Sequence, residues 1–278
     1  MRKPTLFQRI VLCGTILALL CPTLAACKKD PETETCDHAN ADWVIVQEPT
    51  DLENGTKVLT CPDCQTMLAS AYIPSFTDPA IETLKTTKAS SIVKVIGYDE
   101  SGAQISAGTG FFVAENGTFL TNAHVIENCH FVQICDHTGQ IYNANALLAY
   151  KLSTSDYAIL RIAEEVTVTP MAFTESVSLN SKAYALGYPN DTDELCVSDG
   201  ILASELSAKY YLSTVEITNG NSGGPLTTSS GYVIGLVTAS MQNGSCMVLK
   251  YSDFKTPLTN ALAADATPIR ELPIRPTA

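Results

Sequence analysis

The sequence predicts an all-β domain, a barrel or a sandwich, on three observations. From about residue 92 to 238 the apolar residues fall into short runs, such as Ile92-Val93-Lys94-Val95-Ile96-Gly97, Phe131-Val132-Gln133-Ile134 and Tyr157-Ala158-Ile159-Leu160-Arg161-Ile162. Runs of four to eight residues suit strands, whereas helices need longer ones. Gly, Asn and Ser separate them, and Asn116-Gly117, between Gly110–Val113 and Thr118–Thr121, is a hairpin-turn signal. Only Pro79–Ala89, ahead of the first run, and Phe254–Ala264, after the last, read as helices.

The other runs predicted as strands are Ala183–Leu186, Tyr211–Ile217 and Tyr232–Thr238. The chain has 278 residues, 45% of them apolar, enough for a sizeable core. Its 17 Lys and Arg against 29 Asp and Glu give a net charge of −12. That excludes an extended phosphate-binding surface, which needs clustered basic residues, so no nucleic-acid partner is expected. Recurrent Val, Ile, Leu and Phe exclude disorder over most of the length. Ten cysteines are too few for a disulfide-built miniprotein of this length.

The first element is an export segment. Arg2, Lys3 and Arg9 precede an uncharged stretch from Ile10 to Cys27, the basic and apolar regions of a secretory signal. As a helix this stretch would reach only about 27 Å, and Pro22 interrupts it, so a permanent span is marginal. Leu24-Ala25-Ala26-Cys27 resembles a bacterial lipobox, which implies that residues 1–26 form a lipoprotein signal peptide and that Cys27 is lipidated. The alternative is an ordinary secretory signal. Two acyl chains on Cys27 hold a protein stably where one would not, so the expected location is the bacterial cell membrane, facing outside the cytoplasm. Removing residues 1–26 takes away three basic groups and no acidic one, leaving 14 against 29, or −15. Such a charge is repelled by anionic lipid, so attachment falls to the lipid. Residues 27–35, polar after Cys27, form the tether.

The second element, residues 36–75, is a small cysteine module. Cys36-Asp37-His38 and Cys61-Pro62-Asp63-Cys64 supply four donors suited to a closed tetrahedral Zn²⁺ site. The segment also resembles the zinc-ribbon-like repeats of bacterial surface proteins in Cys36, His38, Trp43, Gly55, Cys61, Cys64 and Ile73-Pro74. A module of this size buries little core, so a structural Zn²⁺ would supply its folding energy. Four protein ligands leave no open position for chemistry. The alternative is oxidation of two of the three thiols to a disulfide.

The third element, residues 78–264, carries three polar sites: His124 in Thr121-Asn122-Ala123-His124-Val125-Ile126, Asp156 just ahead of Tyr157-Ala158-Ile159-Leu160, and Ser222 in Gly220-Asn221-Ser222-Gly223-Gly224-Pro225. A serine hydroxyl is a weak nucleophile near neutrality and needs a base, for which an imidazole suits. A buried carboxylate fixes the ring's tautomer and stabilises the imidazolium. His124, Asp156 and Ser222 are therefore the candidate base, orienting acid and nucleophile. Glycines around Ser222 let backbone amides converge on a developing oxyanion.

With His, Asp and Ser in that order, residues 90–262 resemble the trypsin-like serine proteases, and specifically the HtrA (Deg) type. The matches are Ala107-Gly108-Thr109-Gly110-Phe111, Gly187-Tyr188-Pro189, Gly200-Ile201-Leu202-Ala203-Ser204 and Gly231-Tyr232-Val233-Ile234-Gly235-Leu236. The resemblance implies a chymotrypsin-like fold of two six-stranded β-barrels with a C-terminal helix and the triad between the barrels. It implies an oxyanion hole from the amides of Gly220 and Ser222, peptide-bond hydrolysis of protein or peptide substrates through an acyl-enzyme, and no catalytic cofactor. Asn221 stands where digestive and clotting enzymes have the Asp that pairs with a new N-terminus, so activation by that cleavage is not expected. The Pro-rich tail, 265–278, is too short for the PDZ domain usual in this type, so neither peptide sensing nor large oligomers are implied.

For substrate contacts, counting six residues back from Ser222 reaches Glu216, which would favour a basic P1 residue; Ile217 would instead line an apolar pocket. The reading here favours Ile217 and small or aliphatic P1 residues. Thr238 and Ala239 would offer a strand edge to an extended substrate. If residues 130–135 form a strand, Cys129 and Cys135 lie about 20 Å apart, too far to bridge; Cys196 and Cys246 remain candidates for a disulfide. The alternative to an enzyme is a catalytically silent protease-like binding module at the cell surface.

Overall fold

The structure, a computed structural model, describes residues 36–49, 55–73, 78–241 and 244–276. The expected signal peptide, Cys27 and the tether lie outside the described residues. The chain divides into two compact units, Met1–Asp37 and His38–Ala278. Only Cys36 and Asp37 of the first are described.

The second unit opens with three antiparallel strands, β1 (Asp42–Gln47), β2 (Gly55–Thr60) and β3 (Met67–Ile73), paired in that order. Helix α1 (Pro79–Lys88) follows. Its start is well specified: Asp78 Oδ1 accepts the Ala80 N–H at 2.9 Å and Pro79 occupies the first turn.

Two closed six-stranded barrels come next, as the sequence implies. The first comprises β4 (Ile92–Tyr98), β5 (Gln104–Phe112), β6 (Thr118–Thr121), β7 (Phe131–Cys135), β8 (Ile141–Lys151) and β9 (Tyr157–Ile162), paired β8-β7-β4-β5-β6-β9 and closed by β8 against β9. The second comprises β10 (Lys182–Gly187), β11 (Cys196–Glu205), β12 (Tyr210–Ser213), β13 (Pro225–Thr227), β14 (Val233–Ser240) and β15 (Cys246–Lys250), closed in the order β10-β11-β12-β15-β14-β13. Helix α2 (Tyr251–Ala261) and a short strand β16 (Arg270–Glu271) complete the fold.

The continuous apolar runs have a physical origin in this arrangement. Adjacent strand residues face opposite ways, and here both faces are covered. Phe112, Phe119 and Leu160 fill the first barrel, while their neighbours Phe111, Leu120 and Ile159 point outward. The outward set packs with Tyr184, Leu186, Leu236 and Leu249 of the second barrel, Leu84 of α1 and Phe254 of α2. Inside the second barrel lie Ala183, Ala185, Leu202, Leu226, Val237 and Val248.

Two expectations, on the run Tyr211–Ile217 and on Cys196 with Cys246, need correction. The run Tyr211–Ile217 is a strand only to Ser213. Beyond it side chains join the backbone in a mixed pattern: the Thr214 N–H and Ser213 Oγ both donate to the Ile201 carbonyl, at 3.0 and 2.8 Å, and Thr214 Oγ1 accepts the Ile201 N–H at 3.0 Å. The Pro-rich tail is partly built into the first barrel, since β16 pairs with β8, Leu272 is buried and Arg275 lies over the Tyr98 ring. Cys196 and Cys246 do not form a disulfide, and neither does any other of the seven described cysteines. Cys196 lies opposite Gly187 and Cys246 opposite Ser213. Burial pushes the Cys246 thiol up to about 12.

Asp78 couples α1 to the second barrel. Its Oδ2 accepts from Lys182 Nζ at 2.6 Å and the Tyr184 hydroxyl at 3.0 Å. Burial alone would raise its pKa, but Lys182, the Ala80 amide and Tyr184 together hold it below the ordinary carboxylate value. A carboxylate depressed on folding stabilises the native state above its unfolded pKa, and that contribution is lost as pH falls through the folded value. Asp78→Asn is therefore expected to cost about 1–2 kcal/mol at pH 7, the half-exposed lysine limiting the loss. In urea titrations the gap from the parent protein should close below about pH 3; a gap independent of pH would contradict this role.

Candidate active site

Strands β6 and β9 are antiparallel neighbours, with Thr121 opposite Ala158. The residues just after β6 and just before β9 therefore leave the first barrel at the same end. That register brings together His124, in a 3-10 turn spanning His124–Ile126, and Asp156, one residue ahead of β9. Asp156 Oδ2 lies 2.6 Å from His124 Nδ1, and Oδ1 accepts the His124 backbone N–H at 3.0 Å. One carboxylate thus holds both ring and backbone, leaving Nε2 on the far side of the imidazole. The carboxylate is 12% exposed and the imidazole 39%. Asn122 fastens the same turn by donating to the Asp156 carbonyl at 2.6 Å.

Ser222 comes from the second barrel, in the loop between β12 and β13. Gly220 and Gly223 have φ of +97° and +85°, a region other residues rarely adopt. A Cβ at Gly220 would strike the Tyr188 carbonyl oxygen, and one at Gly223 the Thr109 carbonyl oxygen. The Asn219 carbonyl accepts from Asn190 at 2.6 Å and the Asn221 carbonyl from Gly224 at 2.9 Å. Because N–H and C=O point oppositely across a trans peptide, these bonds turn the Gly220 and Ser222 amides the other way. Among the described residues neither amide donates to a protein acceptor, whereas those of Asn221, Gly223 and Gly224 all do. The Ser222 hydroxyl donates to the Thr238 carbonyl at 3.3 Å.

Thr109 joins the two halves. Its N–H donates to the Ser222 carbonyl at 2.8 Å and its Oγ1 to the Gly220 carbonyl at 2.7 Å. Oγ1 also accepts the Tyr188 N–H at 3.0 Å. Sequence reading missed this role, although Gly108-Thr109-Gly110 was itself a signal. It also missed Lys209, which reaches Thr154 O at 3.0 Å and Ser155 Oγ at 3.1 Å beside Asp156. Burial, with the Asp156 charge next, raises the Tyr210 phenol above its ordinary value.

The substrate-side residues separate. Ile217 packs on the second barrel's core. The pairing of β13 with β14 starts at Pro225 opposite Leu236, so at Ala239 β14 pairs with β15 alone. The Glu216 carboxylate, 66% exposed, forms an ion pair with Lys57 of β2 and so turns to the three-stranded sheet. In the cysteine module, ligand atoms of His38, Cys61 and Cys64 lie within 4.8 Å of one another. Cys61 accepts from Gln65 and donates to Thr66 through its backbone, closing a knuckle around Cys64. Two thiols and an imidazole at this spacing, with Cys36 as the fourth donor of the sequence pattern, are the donor types that suit a tetrahedral Zn²⁺.

Residues 108–236 match the family model of the trypsin-like peptidase domain. Those residues carry a trypsin-like peptidase domain. It is 31% identical over 141 residues to a probable periplasmic DegP-like serine endoprotease of Chlamydia trachomatis, covering 48% of this chain and 28% of that one. It is 30% identical over 176 residues to the mitochondrial serine protease HTRA2 of Bos taurus, covering 58% and 38%. The trypsin-like domain thus aligns with HtrA-type proteases, and the chain spans less than two fifths of these relatives. Among solved structures, a Yersinia pestis serine endoprotease superposes with a TM-score of 0.55 at 25% identity, over 63% of each chain. A protease from M. tuberculosis in its active form shares the fold, with a TM-score of 0.59 at 20% identity over 70% of this chain and 95% of that one.

The Thr109 bridge makes a testable claim. Thr109→Val keeps the shape but strands the Gly220 carbonyl and the Tyr188 amide. An unmet buried polar group costs about 1–3 kcal/mol, so the variant should lose roughly 2–4 kcal/mol in denaturant unfolding. A loss under about 0.5 kcal/mol would mean these groups find other partners.

Proposed function

We propose that the protein is a serine endopeptidase that cleaves peptide bonds in protein or peptide substrates, exported and anchored at the bacterial cell membrane by lipid on Cys27. The observation that carries this reading is the double hydrogen bond of Asp156 to His124, beside a nucleophile loop whose Gly220 and Ser222 amides are free to bind an oxyanion. In the proposed reaction His124 Nε2 takes the proton of Ser222 Oγ as the oxygen attacks the scissile carbonyl. Asp156 stabilises the imidazolium, and the two amides hold the tetrahedral oxyanion. The imidazolium then protonates the leaving amine, and water repeats the sequence to release the acyl group.

The Ser222 hydroxyl must leave the Thr238 carbonyl for His124 when substrate enters, a rearrangement consistent with catalytic hydrogen bonds that tighten only in the complex. The Thr238 bond favours the second reading, a silent binding module. A fluorophosphonate probe separates the two. It should modify Ser222 in the folded protein, and Asp156→Asn should slow peptide hydrolysis roughly 10³- to 10⁴-fold. Absence of an adduct on folded protein would leave the binding module.

Cys36, His38, Cys61 and Cys64 would hold a structural Zn²⁺ that organises the module and takes no part in hydrolysis. Elemental analysis of the whole chain should find one zinc per molecule, and Cys61→Ser should abolish it; an intact disulfide among these thiols instead would refute the metal. Cys27→Ala should release the protein from the membrane fraction.

A further inference from the structure

Asp199 lies on β11 opposite Tyr184 of β10. It is 6% exposed, and neither carboxylate oxygen has a hydrogen-bond partner. Buried carboxylates are expected to be paired, because an unpaired one carries its full desolvation penalty. Asp199 lines a cavity of about 310 Å³ where the three-stranded sheet, α1 and the second barrel meet. Ile73, Ile81 and Val197 give this cavity apolar walls, and Lys57 and Glu216 bring its other charges.

Those two charges cancel, since Lys57 is paired with Glu216. The nearest further pair, Asp78 with Lys182, cancels likewise. One negative charge is left over, and it belongs to Asp199. An anion would be repelled, and a divalent metal ion, which needs about six oxygen ligands, would find one carboxylate among aliphatic walls. A cationic head satisfies Asp199, and an apolar stem satisfies the walls.

We infer that this cavity is a binding site for a small organic cation, a primary ammonium or guanidinium on an apolar stem, with Asp199 as its counter-charge. The site uses none of His124, Asp156 or Ser222, so it stands or falls apart from proteolysis.

The probe is n-butylammonium, with n-butanol as its neutral counterpart, followed by thermal shift and ligand-observed NMR on the whole exported chain. Butylammonium should bind saturably and raise the melting temperature, with butanol at least tenfold weaker. Asp199→Asn should weaken butylammonium binding tenfold or more. Val197→Phe, which fills the cavity and keeps the carboxylate, should abolish it, each variant being checked for native circular dichroism. Equal binding by Asp199→Asn, equal affinity for butanol, or no saturable binding to the folded parent protein would each overturn the inference.

Discussion

Thr109 ties the two barrels together at the point where the proposed chemistry occurs, and the geometry of the cleft depends on it. Its side chain and backbone engage Ser222, Gly220, Tyr188 and Thr121, and Thr109 itself is fully buried. Thr121 leads into Asn122, which holds the Asp156 carbonyl. An uninterrupted run of chain and hydrogen bonds therefore joins the Ser222 loop of one barrel to Asp156 of the other. The flanking glycines follow from the same closeness. A Cβ on Gly108 would lie 2.9 Å from the Ser222 carbonyl oxygen, and one on Gly110 would lie 3.0 Å from that of Leu120. Gly-Thr-Gly here is one polar clamp between two positions where backbones must touch.

Hydrogen bonds of this kind hold register only if the barrels are also pressed together, and the outward-facing apolar residues do that. Phe111, Leu120 and Ile159 meet Leu186, Leu236 and Leu249 in a single cluster capped by α1 and α2. Within α2, Phe254 is fully buried and packs edge-on to Phe173 and Tyr251. The proposed chemistry draws on both barrels. The first holds His124 and Asp156, the second Ser222 and the free amides, and the interface supplies the alignment.

Much of this was legible in the sequence, and the failures have physical causes. Strands β6 and β9 match their apolar runs end to end, because both faces of each are buried. The sequence singled out His124 and Asp156, which the fold pairs, because each sits in its own turn context. The three-residue β13 and the two-residue β16 gave no comparable run. Strand β8 was missed although it is eleven residues long. Asn143 and Asn145 interrupt its apolar residues, and Asn143 is held by Glu164. Strand β11 begins Cys196-Val197-Ser198-Asp199, which reads as a loop. Tyr211–Ile217 read as too long a strand because Val215 is buried in the core while the ladder beside it has passed to a mixed pattern of backbone and side chains. Glu216 was reached by counting, and counting carries no information about the sheet that supplies Lys57. Lys209 and Asp199 were invisible for the same reason: their importance lies in partners, or their lack, from distant parts of the chain.

Asp78 and Asp199 show how sharply such context decides a charge. Both are almost fully buried. Asp78 is met by an amide, an ammonium and a phenol, which overcome its desolvation and lower its pKa. No side chain donates to Asp199; burial raises its pKa, the more distant Lys182 and its own backbone amide offset this in part, and the charge of Asp78 adds to it. By the linkage relation the first stabilises the fold as pH rises and the second opposes it. A barrel needs no carboxylate at Asp199: a Leu or Val there would bury without penalty on the same face as Val197. A residue that costs stability and meets no side-chain donor is explained more economically by a partner from outside the chain than by folding.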